Sequence, residues 1–393
     1  MLRPKQNAAW AGAALVILLL WQFLTVHYNR GGNWTALFLT GQDYSLPASL
    51  ARGTYRFPGA GYDGEMYRVI AHDPLVLHDS ARYLDDPALR CRRILVPALA
   101  YLLVFGHQPW IDCSYIAVIG LFVFLGACWL SRWATLAGVH AAWGLAFLLV
   151  PATLISMDRM TVDVALASLT VAFAVHWRNG PWRKVFIVLT LACLVRETGV
   201  LLAAGASLFE LLQRRWARAG LWGSSALPML GWYWYLGHVL PEKTRLADKV
   251  GPGLFFRILH PPRYPLAGIA ETVARWADVL SLAGILLAAI LAMVLLLRRW
   301  PMLRNNSKGA LAICACLYAL LVFALGGDQY WIDVNSNARI WSPLLILVAL
   351  PAIAQESGRG FPVWLGLAPA IAVDLRLGLE FVAEIGGVMR GLF

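Results

Sequence analysis

Long apolar runs recur along the whole chain, and they constrain the fold more than any other feature of the sequence. An α-helix that crosses the hydrocarbon core of a bilayer needs about 20 mostly apolar residues and satisfies its own backbone hydrogen bonds. Hydrophobic residues make up 60% of the 393 positions and charged residues only 14%, whereas a soluble domain carries about a quarter charged residues. The sequence therefore predicts an all-α polytopic membrane protein, a single integral membrane domain over 1–393.

Eleven segments are predicted to cross the membrane. They are 8–27, 111–130, 139–157, 161–177, 184–195, 198–212, 218–240, 278–297, 310–326, 340–356 and 363–382. The apolar segment 94–106 has only 13 residues, which is too short for an ordinary span. If it does not cross, the later basic loops lie in the cytoplasm, as the positive-inside rule favours. We therefore predict a juxtamembrane or re-entrant helix there.

Two further features refine this topology. Arg3 and Lys5 precede the first apolar segment and no small-residue cleavage site follows it, so we predict a retained span with a cytoplasmic N-terminus. Arg196 and Glu197 interrupt the apolar stretch 184–212 at its middle. A continuous helix would bury this ionic pair in the bilayer at a high cost. We therefore predict two short helices with the pair at their external tip.

With this topology the acidic residues collect on one face of the membrane. That face carries the turn 158–163, the tip 196–197 and the external loops 28–110, 241–277 and 327–339. The opposite face carries short basic connections, which account for most of the net charge of +11. Such charge sets orientation in a membrane protein and does not indicate nucleic-acid binding. The asymmetry favours an active site on the non-cytoplasmic face.

The first external loop contains an acid among glycine and aromatic residues, Gly-Tyr-Asp-Gly-Glu-Met-Tyr at 61–67. A glycosyl transfer that inverts the anomeric centre needs one base to take the proton of the acceptor hydroxyl. A phosphate leaving group needs no matching acid, so Asp63 and cations for the phosphate would suffice. Asp is equally a favoured helix N-cap, and a helical pattern follows. The residues alone leave both interpretations open.

This segment resembles the first-loop signature of the GT-C superfamily of membrane glycosyltransferases, in particular the GPI mannosyltransferase II (PIG-V-like) group. The matching residues are Tyr62, Asp63, Gly64, Tyr67, Ile70 and Ala71. The segments 93–100, 158–163 and 194–199 are similar, in this order, to motifs of bacterial transferases that use polyprenyl-phosphate sugars. Together they cover about the first 215 residues. The part 216–393 resembles the family only in being hydrophobic with an external loop.

The resemblance implies a conserved helical module over 1–215, variable helices over 216–393 and an active site beneath the external loops. It implies that Asp63 is the catalytic base and that the donor is a polyprenyl-phosphate sugar. Several family members carry two acids, adjacent or one residue apart. Here Asp63 and Glu65 flank a glycine, so Glu65 is either a second functional acid or a solvated side chain.

A lipid phosphate needs arginine or lysine donors in a partly dry site. The predicted substrate-binding residues are Tyr62, Tyr67, Arg92, Arg93, Arg159, Asp163, Arg196, Glu197, Lys243, Arg245 and Arg339. Among them we favour Arg93 and Arg339 for the phosphate. Side chains that snorkel to the interface occupy similar positions, and Arg196–Glu197 and Arg159–Asp163 are equally typical of structural ion pairs.

No residue spacing indicates a cofactor, and a divalent metal ion is left open. His72-Asp73 and His78-Asp79 offer metal-ligand types, but their histidines are six residues apart, not the four of helix-based zinc motifs. The expected partners are a polyprenyl-phosphate sugar donor, a lipid, glycan or protein acceptor, and membrane lipids. The expected location is a bacterial inner membrane with the active site facing the periplasm.

Two other classes of function remain open. A transporter or flippase for a lipid-linked or amphipathic substrate would carry ionisable residues in the middle of several spans. Most charges instead lie on one predicted face, although Asp374 and Arg376 fall inside the last span without an explanation. A non-catalytic membrane scaffold would not require the acids to cluster on one face.

Overall fold

The computed structural model describes residues 3–240, 251, 253–260, 268–300, 309–326, 329–354 and 362–392. Within them the secondary structure is helical, apart from an isolated bridge between Gly41 and Phe57. The α-helices are α1 (Arg3–Leu24), α2 (Ala48–Ala51), α3 (Asp63–His72), α4 (Pro87–Arg90), α5 (Leu95–Leu103), α6 (Ile111–Leu136), α7 (Pro151–Arg159), α8 (Asp163–Asn179), α9 (Trp182–Val195), α10 (Val200–Leu212), α11 (Trp216–Ser224), α12 (Leu227–Val239), α13 (Gly253–Leu259), α14 (Ile269–Arg299), α15 (Gly309–Ala324), α16 (Gln329–Ile332), α17 (Val334–Ile353) and α18 (Val363–Leu392).

Four helices of the described part are long and apolar enough to cross a bilayer. They are Lys5–Asn29, Gln108–Leu136, Ile269–Arg299 and Val334–Ile353. A fifth candidate is the pair Ala141–Leu149 and Pro151–Arg159, bent by 61° at its break. These helices support an integral membrane protein, but the prediction of eleven spans is wrong.

The correction has a physical reason: several apolar segments fold as helices shorter than the roughly 20 residues that cross a bilayer, among them α8 with 17 residues. The predicted span 161–177 is α8, and every residue from Asp163 to His176 is buried inside the protein. The segment 218–240 divides into α11 and α12. The helices α9 and α10 have only 14 and 13 residues, which at about 1.5 Å per residue gives roughly 20 Å each.

The short helix expected in 94–106 and the break expected in 184–212 are both present. The segment 94–106 contains the nine-residue α5. The apolar stretch 184–212 breaks where the ionic pair lies: α9 ends at Val195, Arg196 is extended and α10 begins at Val200. Gly199 allows this break, because a side chain there would overlap the carbonyl group of Ala192.

The helix α17 is the centre of the structure. It packs against α7, α8, α14, α15 and α18, and all but one of its residues from Val334 to Ile353 are buried. A helix that is apolar all round belongs inside a protein, so the polar residues at its N-terminal end are carried into the interior with it. One continuous hydrophobic core extends from Ala11 on α1 to Leu377 on α18.

The helix α3 begins against the end of α7. A Cβ at Gly64 would overlap the carbonyl oxygen of Arg159 and lie 2.9 Å from the carbonyl oxygen of Phe38. Only glycine therefore lets the first turn of α3 approach these two backbone groups. This contact places the side chains at the start of α3 beside α7 and α17.

We expect Gly64→Ala to destabilise the protein by about 1–3 kcal/mol, because backbone atoms cannot move aside as a flexible side chain can. Thermal unfolding of the purified protein in detergent would show a lower Tm. The matched control is Gly12→Ala on α1, where an added Cβ meets no atom within 4 Å. A Tm for Gly64→Ala equal to that of the control would contradict the packing argument.

Candidate active site

Asp63 is the first residue of α3, and the N-cap position belongs to Tyr62, whose side chain makes no capping hydrogen bond. The interpretation of Asp63 as an N-cap is therefore wrong. Its carboxylate is free to pair with other groups, although the residue is only 9% exposed. A buried carboxylate requires compensating partners, and the structure supplies three.

Three guanidinium groups surround the carboxylate of Asp63. Arg339 of α17 forms an ion pair with its Oδ2. The Nη1 atom of Arg90, at the end of α4, lies 2.6 Å from the same oxygen. The Nη1 atom of Arg93 lies 3.9 Å away. Each of these arginines also faces a second carboxylate: that of Asp85 for Arg90, Glu197 for Arg93 and Asp163 for Arg339.

The protonation state of Asp63 follows from this environment. Burial alone would raise the pKa of its carboxyl group, but the guanidinium groups of Arg339, Arg90 and Arg93 outweigh burial and hold the pKa well below its usual value. Asp63 is therefore ionised over the physiological range. A carboxylate with so low a pKa is a weak base as long as all three cations remain on it.

Arg339 also bridges to a second buried carboxylate, that of Asp163 at the start of α8. Its Nη1 atom lies 3.3 Å from Oδ2 of Asp163, and Oδ1 of Asp163 pairs with Arg196. An ionic chain thus runs from Arg196 through Asp163 and Arg339 to Asp63. Removing one member of a buried pair leaves a charge uncompensated, which costs several kcal/mol.

Arg93 is held by two other predicted residues. Its Nη1 atom donates a hydrogen bond of 2.7 Å to the hydroxyl of Tyr67, and its Nε atom lies 3.3 Å from the carboxylate of Glu197. Burial alone would raise the pKa of Glu197, but Arg93 and Arg196 lower it below its usual value. The pair Arg196–Glu197 at the tip between α9 and α10 therefore contacts the same group of cations and carboxylates as Asp63.

Tyr62 lies between two cations. The guanidinium groups of Arg159 and Arg339 lie 5.0 Å and 5.1 Å from the centre of its ring. Its hydroxyl donates a hydrogen bond of 3.1 Å to Asp333, which caps α17 by accepting from the backbone N–H groups of Asn335 and Ser336. Burial raises the pKa of Tyr62 above its usual value, so the phenol stays neutral and keeps its proton.

The remaining predicted residues that the structure describes are not among the ion-pair partners of Asp63. The guanidinium of Arg92 stacks on the ring of Tyr233 at 5.0 Å. Glu65 is not solvated: it is 2% exposed, and its Oε2 atom accepts a hydrogen bond of 2.8 Å from the backbone N–H of Gly41. Lys243 and Arg245 lie outside the described residues.

A cavity of about 290 Å³ lies beside this site. Its lining includes Arg92, Arg93, Arg196 and Glu197, which provide three cations and one carboxylate. Its other lining residues are mostly apolar and come from α10, α15 and α17, among them Leu201, Leu321, Leu325 and Ile340. The cavity therefore has the polarity of an amphipathic ligand with an anionic head.

Sequence reasoning missed two members of the site. Arg90 lies in the basic run that contains Arg92 and Arg93, and its spacing of three from Arg93 is typical of side chains on one helical face. That spacing was a usable signal. Asp333 offered no signal beyond its place in the loop 327–339, because its hydrogen bond to Tyr62 joins residues that are 271 positions apart.

The structure explains one of the two charges that fall inside the last predicted span, that of Arg376. The Nε atom of Arg376 lies 2.7 Å from Asp278 on α14, and its Nη1 atom lies 2.9 Å from Glu380. Glu380 in turn lies 3.8 Å from Arg159, next to Tyr62. Nothing in the structure explains Asp374. Within the described ranges there is no group of three or more His, Cys, Asp or Glu residues that is able to hold a metal ion.

Glu65 generates a pH-dependent stability. Burial raises the pKa of its carboxyl group from 4.5 to about 7, although the N–H of Gly41 and Arg56 act in the opposite direction. The folded state thus holds the proton more tightly than the unfolded state, so stability declines as the pH rises from about 4.5 to about 7. We expect Glu65→Gln to be more stable than the wild type at pH 8 and similar at pH 4.5.

Thermal unfolding at both pH values would measure this difference. The control is Asp79→Asn, an exposed carboxylate in the same loop, whose side chain is 69% exposed. An equal pH dependence of Tm in wild type and Glu65→Gln would show that the buried carboxyl group does not cause it.

Comparison with known proteins identifies no relative: no protein-family model, curated protein or solved structure matches this chain. The geometry described above is thus the basis for inferring a function. Its central feature is one buried carboxylate, Asp63, among the guanidinium groups of Arg339, Arg90 and Arg93.

Proposed function

We propose that this protein is an inverting membrane glycosyltransferase of the GT-C type. It transfers a sugar from a polyprenyl-phosphate donor to an acceptor hydroxyl on the non-cytoplasmic face, here the periplasmic face of a bacterial inner membrane. The observation that carries the proposal is the buried carboxylate of Asp63 among three guanidinium groups. The sequence resemblance to GT-C enzymes over 1–215 supports the same reading.

The cavity beside the site suits the donor. An isoprenoid chain needs an apolar channel, and Leu201, Leu321 and Ile340 provide apolar walls. A phosphate needs charge-assisted hydrogen bonds, and Arg93 and Arg196 line the same cavity. Arginine suits this role because its planar guanidinium can hold two phosphate oxygens at once.

The chemical step needs no group beyond these. Asp63 accepts the proton of the acceptor hydroxyl while the hydroxyl oxygen forms a bond to the anomeric carbon. The bond from that carbon to the phosphate oxygen breaks, and its electron pair leaves with the phosphate. Attack opposite to the leaving group inverts the anomeric configuration. The arginines stabilise the charge that develops on the phosphate.

The low pKa of Asp63 gives the donor a second role. Without a donor, Arg339, Arg90 and Arg93 hold the pKa of Asp63 low and make it a weak base. A bound phosphate competes for the same guanidinium groups and weakens their effect on the carboxylate. Asp63 thus becomes an effective base only when the donor is in place, which limits attack by water in the empty site.

The remaining predicted residues hold these groups in position. Tyr67 and Glu197 orient Arg93, while Asp163 and Tyr62 orient Arg339. Arg159 covers the other face of Tyr62. Arg92 lines the same cavity as Arg93 and Arg196. Glu65 anchors the loop before α3 through Gly41 and takes no part in the transfer. Lys243 and Arg245 remain predicted donors from the loop 241–277.

One observation favours a second candidate, a transporter or flippase for a lipid-linked substrate. Asp278 lies inside the candidate span α14 and pairs with Arg376 of α18 at 2.7 Å and with Arg257 of α13 at 3.2 Å. Buried ionisable residues in membrane helices are typical of transport pathways. This candidate predicts flux of a lipid-linked sugar between leaflets without a new glycosidic bond.

We expect Asp63→Asn to lower the rate of transfer by at least about a hundredfold, because asparagine keeps the size but cannot take a proton. The measurement is transfer of radiolabelled sugar from polyprenyl-phosphate donors in membranes at matched expression. Asp79→Asn is the matched control and should retain full activity. Undiminished transfer by Asp63→Asn would exclude Asp63 as the base. If the wild-type protein moved a lipid-linked sugar between leaflets without transferring the sugar, the transporter would be favoured.

Arg90→Gln tests the electrostatic argument. Removing this guanidinium raises the pKa of Asp63, since Arg90 is among the groups that lower it. The acid limb of the pH profile of kcat/KM reports the pKa of the base in the free enzyme. We therefore expect this limb to shift to higher pH, together with a raised KM for the donor. An unchanged profile would contradict the contact between Arg90 and Asp63.

A further inference from the structure

A second polar cavity, of about 680 Å³, lies at the opposite end of α3 from Asp63. Since α3 has ten residues, the two sites are separated by about 15 Å along the helix. The cavity is lined by α2, the last turns of α3, the segment 73–80 and the start of α6. Its size lies within the range of small-molecule sites, about 300–1,000 Å³.

The two carboxylates that line this cavity are already engaged. Asp112 accepts hydrogen bonds of 2.9 Å and 2.7 Å from Nε and Nη2 of Arg68. Asp73 accepts hydrogen bonds of 2.9 Å each from the backbone N–H groups of Leu77 and His78. Neither carboxylate therefore offers an unshared negative charge to a ligand.

His72 contributes an imidazole ring to the lining, held between two polar side chains. Gln108 donates from Nε2 to the backbone carbonyl of His72, 3.1 Å away, which fixes the orientation of its amide. The side-chain carbonyl oxygen of Gln108 then lies 2.6 Å from Nδ1 of His72. The carboxylate of Asp112 lies 3.1 Å from Nε2 of the same ring. Both ring nitrogens therefore have a polar neighbour, and these two contacts fix the orientation of the ring.

A guanidinium group also lines the cavity. Arg52 has no ion pair or hydrogen bond with any residue that the structure describes. The hydroxyl of Ser49 and the largely exposed ring of His78 stand in the same cavity. Because Arg68 is paired with Asp112 and Asp73 accepts from backbone N–H groups, the guanidinium of Arg52 is left available to an anion.

We propose that this cavity is a binding site for an anionic, hydroxyl-bearing headgroup, a phosphodiester joined to a polyol. Arg52 and His72 face the phosphate, and Ser49 and His78 face the hydroxyl groups. This site is distinct from the one around Asp63, and its occupation does not depend on glycosyl transfer.

The test is calorimetric titration of the full chain in phosphatidylcholine nanodiscs with glycerophosphoglycerol, inorganic phosphate and glycerol as probes. We expect binding of glycerophosphoglycerol that Arg52→Gln and His72→Gln each weaken by about tenfold, the loss of one charge-assisted contact. Arg52→Lys keeps the charge and should retain part of the affinity. Arg82→Gln is the matched control, since Arg82 is exposed and lies outside the lining.

Three results would overturn the proposal: no binding of any probe, equal binding by wild type and both glutamine variants, or glycerol bound as tightly as glycerophosphoglycerol. Unaltered gel filtration and Tm of the variants ensure that a loss of binding is not a loss of folding. A further arm identifies the source of the ligand. Phosphatidylglycerol in the nanodisc should compete with the soluble probe if the ligand is a lipid headgroup, and not if it is a free anion.

Discussion

The ion pair between Arg339 and Asp63 is the interaction on which the rest of the structure depends. Asp63 stands at the start of α3, in the long segment after the first helix, and Arg339 stands near the start of the buried helix α17. They are 276 positions apart in the chain. Because Arg339 also pairs with Asp163, one side chain ties three elements from both halves of the chain to a single point.

Burial of so many charges imposes a strict requirement. An arginine inside the protein is tolerated only when carboxylates and hydroxyls compensate it, and the loss of one partner leaves the other uncompensated. Asp163 meets this requirement for Arg196, and Tyr67 and Glu197 meet it for Arg93. Asp63 alone faces three cations. Arg90 is also paired with Asp85, so the four arginines of the site face four carboxylates in all. A phosphate would bind by competing with these carboxylates for the guanidinium groups, and this is the physical basis for proposing a phosphate-linked substrate.

The helix α3 connects two chemically different regions. Its first turn brings Asp63 to the arginines, and Gly64 makes this possible by allowing contact with the backbone of α7. Its last turn brings His72 to the polar cavity at the start of α6. A short, almost completely buried helix with a functional group at each end fixes the distance between the two regions, so both depend on the same packing.

The sequence by itself determined the all-helical membrane class, the break at 196–199, the short helix α5 and most residues now found around Asp63. These features follow from local composition: the length of the apolar runs, the energetic cost of placing a charge in a bilayer, and a glycine next to an acidic residue. It failed on the number of spans, because several apolar segments fold as short helices, such as α8, α9 and α10 with 17, 14 and 13 residues. Only the tertiary structure decided that Arg90 and Asp333 join the site and that Glu65 is buried against Gly41. Pairing between residues distant in the chain depends on how helices pack, and no local pattern of residues records it.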